Sequence, residues 1–114
     1  MTKENNNTEF TQEEINALEE RVLKLSKTYN FEGEEISTVD LSGLDNVSAN
    51  QMIQAQKMIT RNGNTSALLE TNIEYLLILA SFASGRPIEF FKQLNAKDVV
   101  KVKNRVTGFF FSEE

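Results

Sequence analysis

The apolar positions of this chain change their period along its length. Residues 1 to 9 are polar and rich in Asn, with nothing to bury, and predict an unstructured lead-in. Thr11 and Glu14 then stand at the spacing of a capping box, and Ile15, Leu18 and Val22 would line one side of a short acidic helix running to Glu20. A helix that short and acidic is marginal by itself. Residues 1 to 20 therefore read as a polar extension, and residues 21 to 114 as one domain.

From Val22 the period becomes two. Leu23 and Leu25 alternate with Lys24 and Ser26, and Tyr29 and Phe31 follow at the same spacing, which predicts a strand, or two short ones broken near Thr28. Glu32-Gly33 offers a residue free to take positive φ, and Ile36 to Leu41 returns with β-branched residues, so the expected product is a hairpin turning between Glu32 and Glu35.

Beyond Ser42-Gly43 the period is helical. Ser48 or Asn50 can cap a helix to about Arg61 with Met52, Ile53, Ala55 and Ile59 as its apolar stripe, and Asn62-Gly63-Asn64 stops it. Residues Leu68 to Ala83 place Leu69, Ile73, Leu76, Leu77 and Ala80 on one stripe, while Tyr75, Ile78, Leu79 and Phe82 make the opposite side apolar too. Such a helix is either the central helix of the domain or part of an interface. Gly85 suits its end and Pro87 the start of a next helix containing Ile88, Phe90, Phe91 and Leu94. Asn95 with Asp98 caps a last helix, whose seam is Val99, Val102, Val106 and Phe109 and whose basic ridge is Lys97, Lys101 and Arg105. The fold class is α+β and mainly helical, an amino-terminal β-hairpin followed by three to four packed α-helices, with no internal repeat.

Composition narrows what this domain does. The 114 residues include no Cys and no His, which removes disulfides, thiolate metal sites and the commonest general base and metal ligand. No cofactor or metal site is expected, and an enzyme is not. The pairs Glu13-Glu14, Glu19-Glu20 and Glu34-Glu35 are adjacent in polar surroundings, which describes solvated faces better than acid/base pairs. Asp40 and Asp45 flank Ser42-Gly43 as turn residues, without the ordered oxygen ligands of a calcium loop.

The net charge of −5 argues against nucleic acid or an anionic membrane as partner. No apolar run reaches the ~18 residues of a membrane helix, and the Met-Thr-Lys-Glu start is unlike a leader, so a cytoplasmic protein is expected. The charge is uneven: residues 1 to 46 carry 11 acids and 4 bases, and residues 47 to 114 carry 6 acids and 8 bases. Such polarity can steer self-association or partner choice.

Two features of the last quarter remain open. The Lys97, Lys101, Arg105 ridge is either a solvated helix face or a contact for an acidic protein segment. Phe109, Phe110 and Phe111 span some 200° of a helix and cannot all face one core. Either Phe109 packs inside while Phe110 or Phe111 folds back, or the run is an exposed aromatic anchor.

The order of these features resembles the short tail assembly chaperones of long-tailed bacteriophages and prophages. The resemblance rests on Leu23-x-Leu25-Ser26-Lys27-Thr28-Tyr29-x-Phe31-Glu32-Gly33 and on Val39-x-Leu41-Ser42-Gly43-Leu44. It continues through Ile73-x-x-Leu76-Leu77-x-Leu79-Ala80-x-Phe82-Ala83-Ser84-Gly85-Arg86-Pro87, then Phe91-x-x-Leu94-Asn95-Ala96-x-Asp98 and Val102-x-x-x-Val106-x-x-Phe109-Phe110. It covers about residues 22 to 111.

What it implies is a protein of the bacterial host cytoplasm that binds and solubilises a tape measure protein, recruits major tail protein, and is absent from the finished particle. It also implies a longer form made by ribosomal frameshifting, for which the Phe109 to Phe111 codons could supply a slippery run. The expected protein-binding residues are Tyr75, Ile78, Leu79, Phe82, Lys97, Lys101, Arg105, Phe110 and Phe111. The other classes open to such a sequence are a structural tail or head-tail connector component and a small regulatory protein-binding module.

Overall fold

The structure, a computed structural model, describes residues 11–12, 22–65 and 68–111. The lead-in over residues 1 to 9 and the helix expected to reach Glu20 lie outside them, apart from Thr11 and Gln12. The described chain is a two-stranded antiparallel hairpin followed by four helices, mainly helical α+β as the periodicity predicts.

Strand β1 is Val22–Phe31 and β2 is Glu34–Asp40. Between them Glu32 and Gly33 both take positive φ, 52° and 82°. A two-residue turn of that hand matches the twist of the strands it joins.

The pairing is not uniform. Leu23 faces Val39 and Lys24 faces Thr38, but the next pair is Tyr29 with Ile36, so Leu25 to Thr28 stand opposite Ser37 alone. The bulge has a reason in the side-chain pattern. On β1 the buried residues Leu23, Leu25 and Tyr29 are separated by even steps, whereas on β2 Ile36 and Val39 are three apart. Without an odd offset one of the last two would face solvent.

A 3-10 turn at Ser42–Asn46 follows, buried through Leu44. Gly43 lies so close to α2, defined below, that a Cβ there would overlap the carbonyl oxygen of Ala83. Close approach, and not only turn geometry, requires this glycine.

Helix α1, Ala49–Arg61, is capped by Ser48, whose hydroxyl accepts from the Gln51 amide while the Gln51 side chain accepts from the Ser48 amide. It buries Ala55 and Ile59 and leaves Ile53 out. Gly63, at φ 89°, ends it.

After a short 3-10 turn at Leu69–Thr71, α2 spans Ile73–Ser84 under an Asn72 cap. Gly85, in the left-handed region, terminates it. Helix α2 touches α1, β2, both 3-10 turns, the short α3 (Ile88–Lys92) and α4 (Ala96–Phe111). Its all-round apolar character is therefore that of a central helix. Tyr75 through Ala80 are buried consecutively, which a helix with one wet face does not allow.

Helix α3 adds Phe90 and Phe91, both fully buried, with Phe90 edge-on to Tyr29, Phe31 and Phe91. Each such ring contributes about 1.5–3 kcal/mol through burial. Helix α4 packs along α2 and against β1 through Val102 and Val106. Among the described residues no helix is long and apolar enough to cross a membrane.

Candidate protein-binding site

Among the described residues, chemistry-bearing side chains gather in three polar clusters, and each is internally satisfied. The tightest lies where α4 begins. Asn95 caps α4 by accepting from the Asp98 amide at 2.9 Å. Asp98, at 0% exposure, accepts from the Ser26 amide at 2.8 Å, the Ser26 hydroxyl at 2.9 Å and the Tyr29 hydroxyl at 2.7 Å. The Tyr29 oxygen in turn accepts from the Asn95 amide at 3.0 Å. The β1 bulge explains the geometry, because it leaves the Ser26 amide opposite no ladder partner and Asp98 supplies the acceptor.

Burial alone would push the Asp98 carboxyl up, but the hydrogen bonds from Tyr29 and Ser26 and the nearby Lys101 outweigh it and hold the carboxyl below its ordinary value. Burial pushes the Tyr29 hydroxyl up. With its acceptor sites taken, Asp98 is a lock between hairpin and helix and has nothing spare for a ligand. The sequence marked Asn95 and Asp98 as a cap and missed the lock, whose signals were two polar residues, Ser26 and Tyr29, inside an alternating strand.

In the second cluster Glu74 accepts from the side chains of Asn62 and Asn64, which hold its carboxyl below the ordinary value, and Asn64 pairs with Asn72. In the third, Arg86 grips Glu34 through two parallel bonds of 2.9 and 3.0 Å, which lower the Glu34 carboxyl. These fasten the α1–α2 connection and the hairpin tip.

The residues expected to bind protein separate sharply. Tyr75, Ile78 and Leu79 are buried and Phe82 packs on the core, which corrects the expectation that the second side of that helix is a contact surface. The cause is position, since the chain wraps α2 from every side. The basic ridge is also uneven. Lys97 is exposed; Lys101 is half-buried and donates to the Lys24 carbonyl at 3.2 Å, bracing α4 on β1. Arg105 is half-buried, and its Nη1 is hidden from water without an acceptor among the described residues.

The aromatic run reverses the expected order. Phe110 packs against the core, whereas Phe109 is 47% exposed and Phe111 39%. Phe109 lies within 20° of Val102 around the helix, on the core-facing seam. Its exposure comes from length. Helix α4 has 16 residues, about 24 Å, against 12 residues, about 18 Å, for α2. The Thr107 hydroxyl reaches the Glu70 carbonyl at 3.5 Å, and in the turn beyond it Phe110 packs back on the core while Phe109 and Phe111 overhang.

There Phe109 stacks edge-on against Phe110 with centroids 4.9 Å apart, and Phe111 against Phe110 at 6.3 Å. One anchored ring thus presents two outer ones. Ile73, at the start of α2, is 48% exposed and Leu68 is exposed as well. Spacing placed both in one helix from Leu68, whereas α2 starts only at Ile73, so Leu68 precedes it and Ile73 stands exposed in its first turn.

No family model, curated protein or solved structure matches the chain.

Proposed function

We propose that the protein is a tail assembly chaperone that binds a tape measure protein through the overhanging end of α4, keeps it soluble and recruits major tail protein, without staying in the particle. The observation that supports the reading is the exposure of Phe109 on a seam that everywhere else is core. A seam continued past its own domain is a half-interface, and large aromatic side chains on it are typical anchors. The sequence pattern from Leu23 to Phe110 supplies the partner class, and a tape measure protein offers long amphipathic helix to such an anchor. Many small contacts along one long partner give avidity while each remains displaceable by tail subunits. The role is non-catalytic and is exercised in the bacterial host cytoplasm.

The test is co-expression with the tape measure protein of the same genome, scored by its solubility. The wild-type chain should keep it soluble, and the double change Phe109→Ser with Phe111→Ser should lose most of that effect while the chain itself stays folded. Solubility unaffected by the double change, or the chain found in purified particles, overturns the reading.

A further inference from the structure

We infer that the α4 overhang takes an acidic amphipathic helix, with a partner carboxylate seated on Arg105 and apolar residues one turn away covering Phe109. The inference rests on the binding reading above and adds the chemistry of the occupant. Arg105 and Phe109 are four positions apart on α4 and so share a face one turn apart. Phe109 offers apolar surface in need of cover, and Arg105, half-buried, brings a guanidinium to the same face; its Nη1 is sealed off by the chain itself, so a partner would meet the other nitrogens of the head. A carboxylate is the group that matches that planar fork with two parallel bonds.

The surrounding charge agrees. Along this flank α4 carries Lys97, Lys101 and Arg105, while its one acid among the described residues, Asp98, is fully buried and engaged with Ser26 and Tyr29. The nearest neighbouring element, the 3-10 turn holding Glu70, meets α4 through the Glu70 backbone carbonyl at Thr107, and among the described residues no acid forms an ion pair with Arg105. An acidic segment would meet cations on the Arg105 side and bare rings at the tip. Three cations on a chain of net charge −5 give a nucleic acid little counterion-release affinity.

The experiment uses the full chain against a displayed library of amphipathic helices, with the Phe109→Ser chain for counter-selection. Selected helices should carry Glu or Asp one turn from a large apolar residue. Their affinity should fall at least about tenfold on Arg105→Glu, less on Arg105→Lys, and recover when the selected acid is replaced by Lys against Arg105→Glu. Binders without acidic enrichment, no binders, or affinities indifferent to Arg105→Glu overturn the inference. So does an equal affinity for single-stranded oligonucleotide, or sedimentation showing that Phe109→Ser dissolves a self-association that occupies the site. If acidic helices bind as described but the tape measure protein is not solubilised, the chaperone reading fails and this inference stands. If tape measure solubility depends on Phe109 but not on Arg105, the reverse holds.

Discussion

The two ends of α4 are built on opposite principles. At its start a carboxylate is sealed from water and every donor around it is met. At its end two large rings stand in solvent with a guanidinium nitrogen left without an acceptor among the described residues. Both ends lie on one apolar seam, so composition does not separate them. Enclosure does, because the start is flanked by β1 and the end outruns α2. Under the proposed function, stability and recognition are thereby divided along a single helix.

That division predicts unequal consequences of substitution. The largest belongs to the sealed end. Asp98→Ala leaves the Ser26 amide, the Ser26 hydroxyl and the Tyr29 hydroxyl without their acceptor and should lower unfolding stability by about 3–5 kcal/mol in urea titration. A stability unchanged within 1 kcal/mol would mean that the lock is dispensable. Next, Gly43→Ala pushes a methyl into the Ala83 carbonyl and should cost about 1–3 kcal/mol by the same measurement, with Gly33→Ala as the contrast because that site has open space and only its φ suffers.

The pH dependence has a sign at each limb. Asp98 titrates lower in the fold than in the unfolded chain, so its contribution is complete above about pH 3.9 and is lost as pH falls through the folded value below it. Tyr29 titrates higher in the fold, so its contribution is complete below about pH 10 and is lost as pH rises beyond that value. Asp98→Asn should flatten the acid limb of a stability profile and Tyr29→Phe the alkaline one. The smallest effect on stability belongs to the overhang. Phe109→Ser should change unfolding stability by no more than about 0.5 kcal/mol while weakening partner binding by about tenfold or more.

The sequence made the elements readable because local rules decide them. The Ser48 capping box, the Gly63 and Gly85 stops and the Glu32-Gly33 turn are each settled within a few residues. Of the two forms the spacing allowed, β1 is the single strand, unbroken at Thr28 from Val22 to Phe31, and the odd spacing of Ile36 and Val39 on its partner goes with the bulge. The site was less legible because exposure is decided at long range. Leu79 and Phe109 are alike in sequence, apolar and at helical spacing, and only the wrapping of α2 and the relative lengths of α2 and α4 bury the one and bare the other. Phe110 and Phe109 exchange their expected roles for that reason.

The Ser26–Asp98 contact also sets an order of events in synthesis. The two groups lie 72 positions apart, and a two-stranded hairpin alone is at best marginally stable in water. On a growing chain the hairpin emerges first but cannot be pinned until the start of α4 has followed it out, a closure that long-range contacts make late. The same helix that brings the pin brings the exposed Phe109 behind it. Under the proposed function, the protein would acquire its grip on a partner at the moment its own fold is secured.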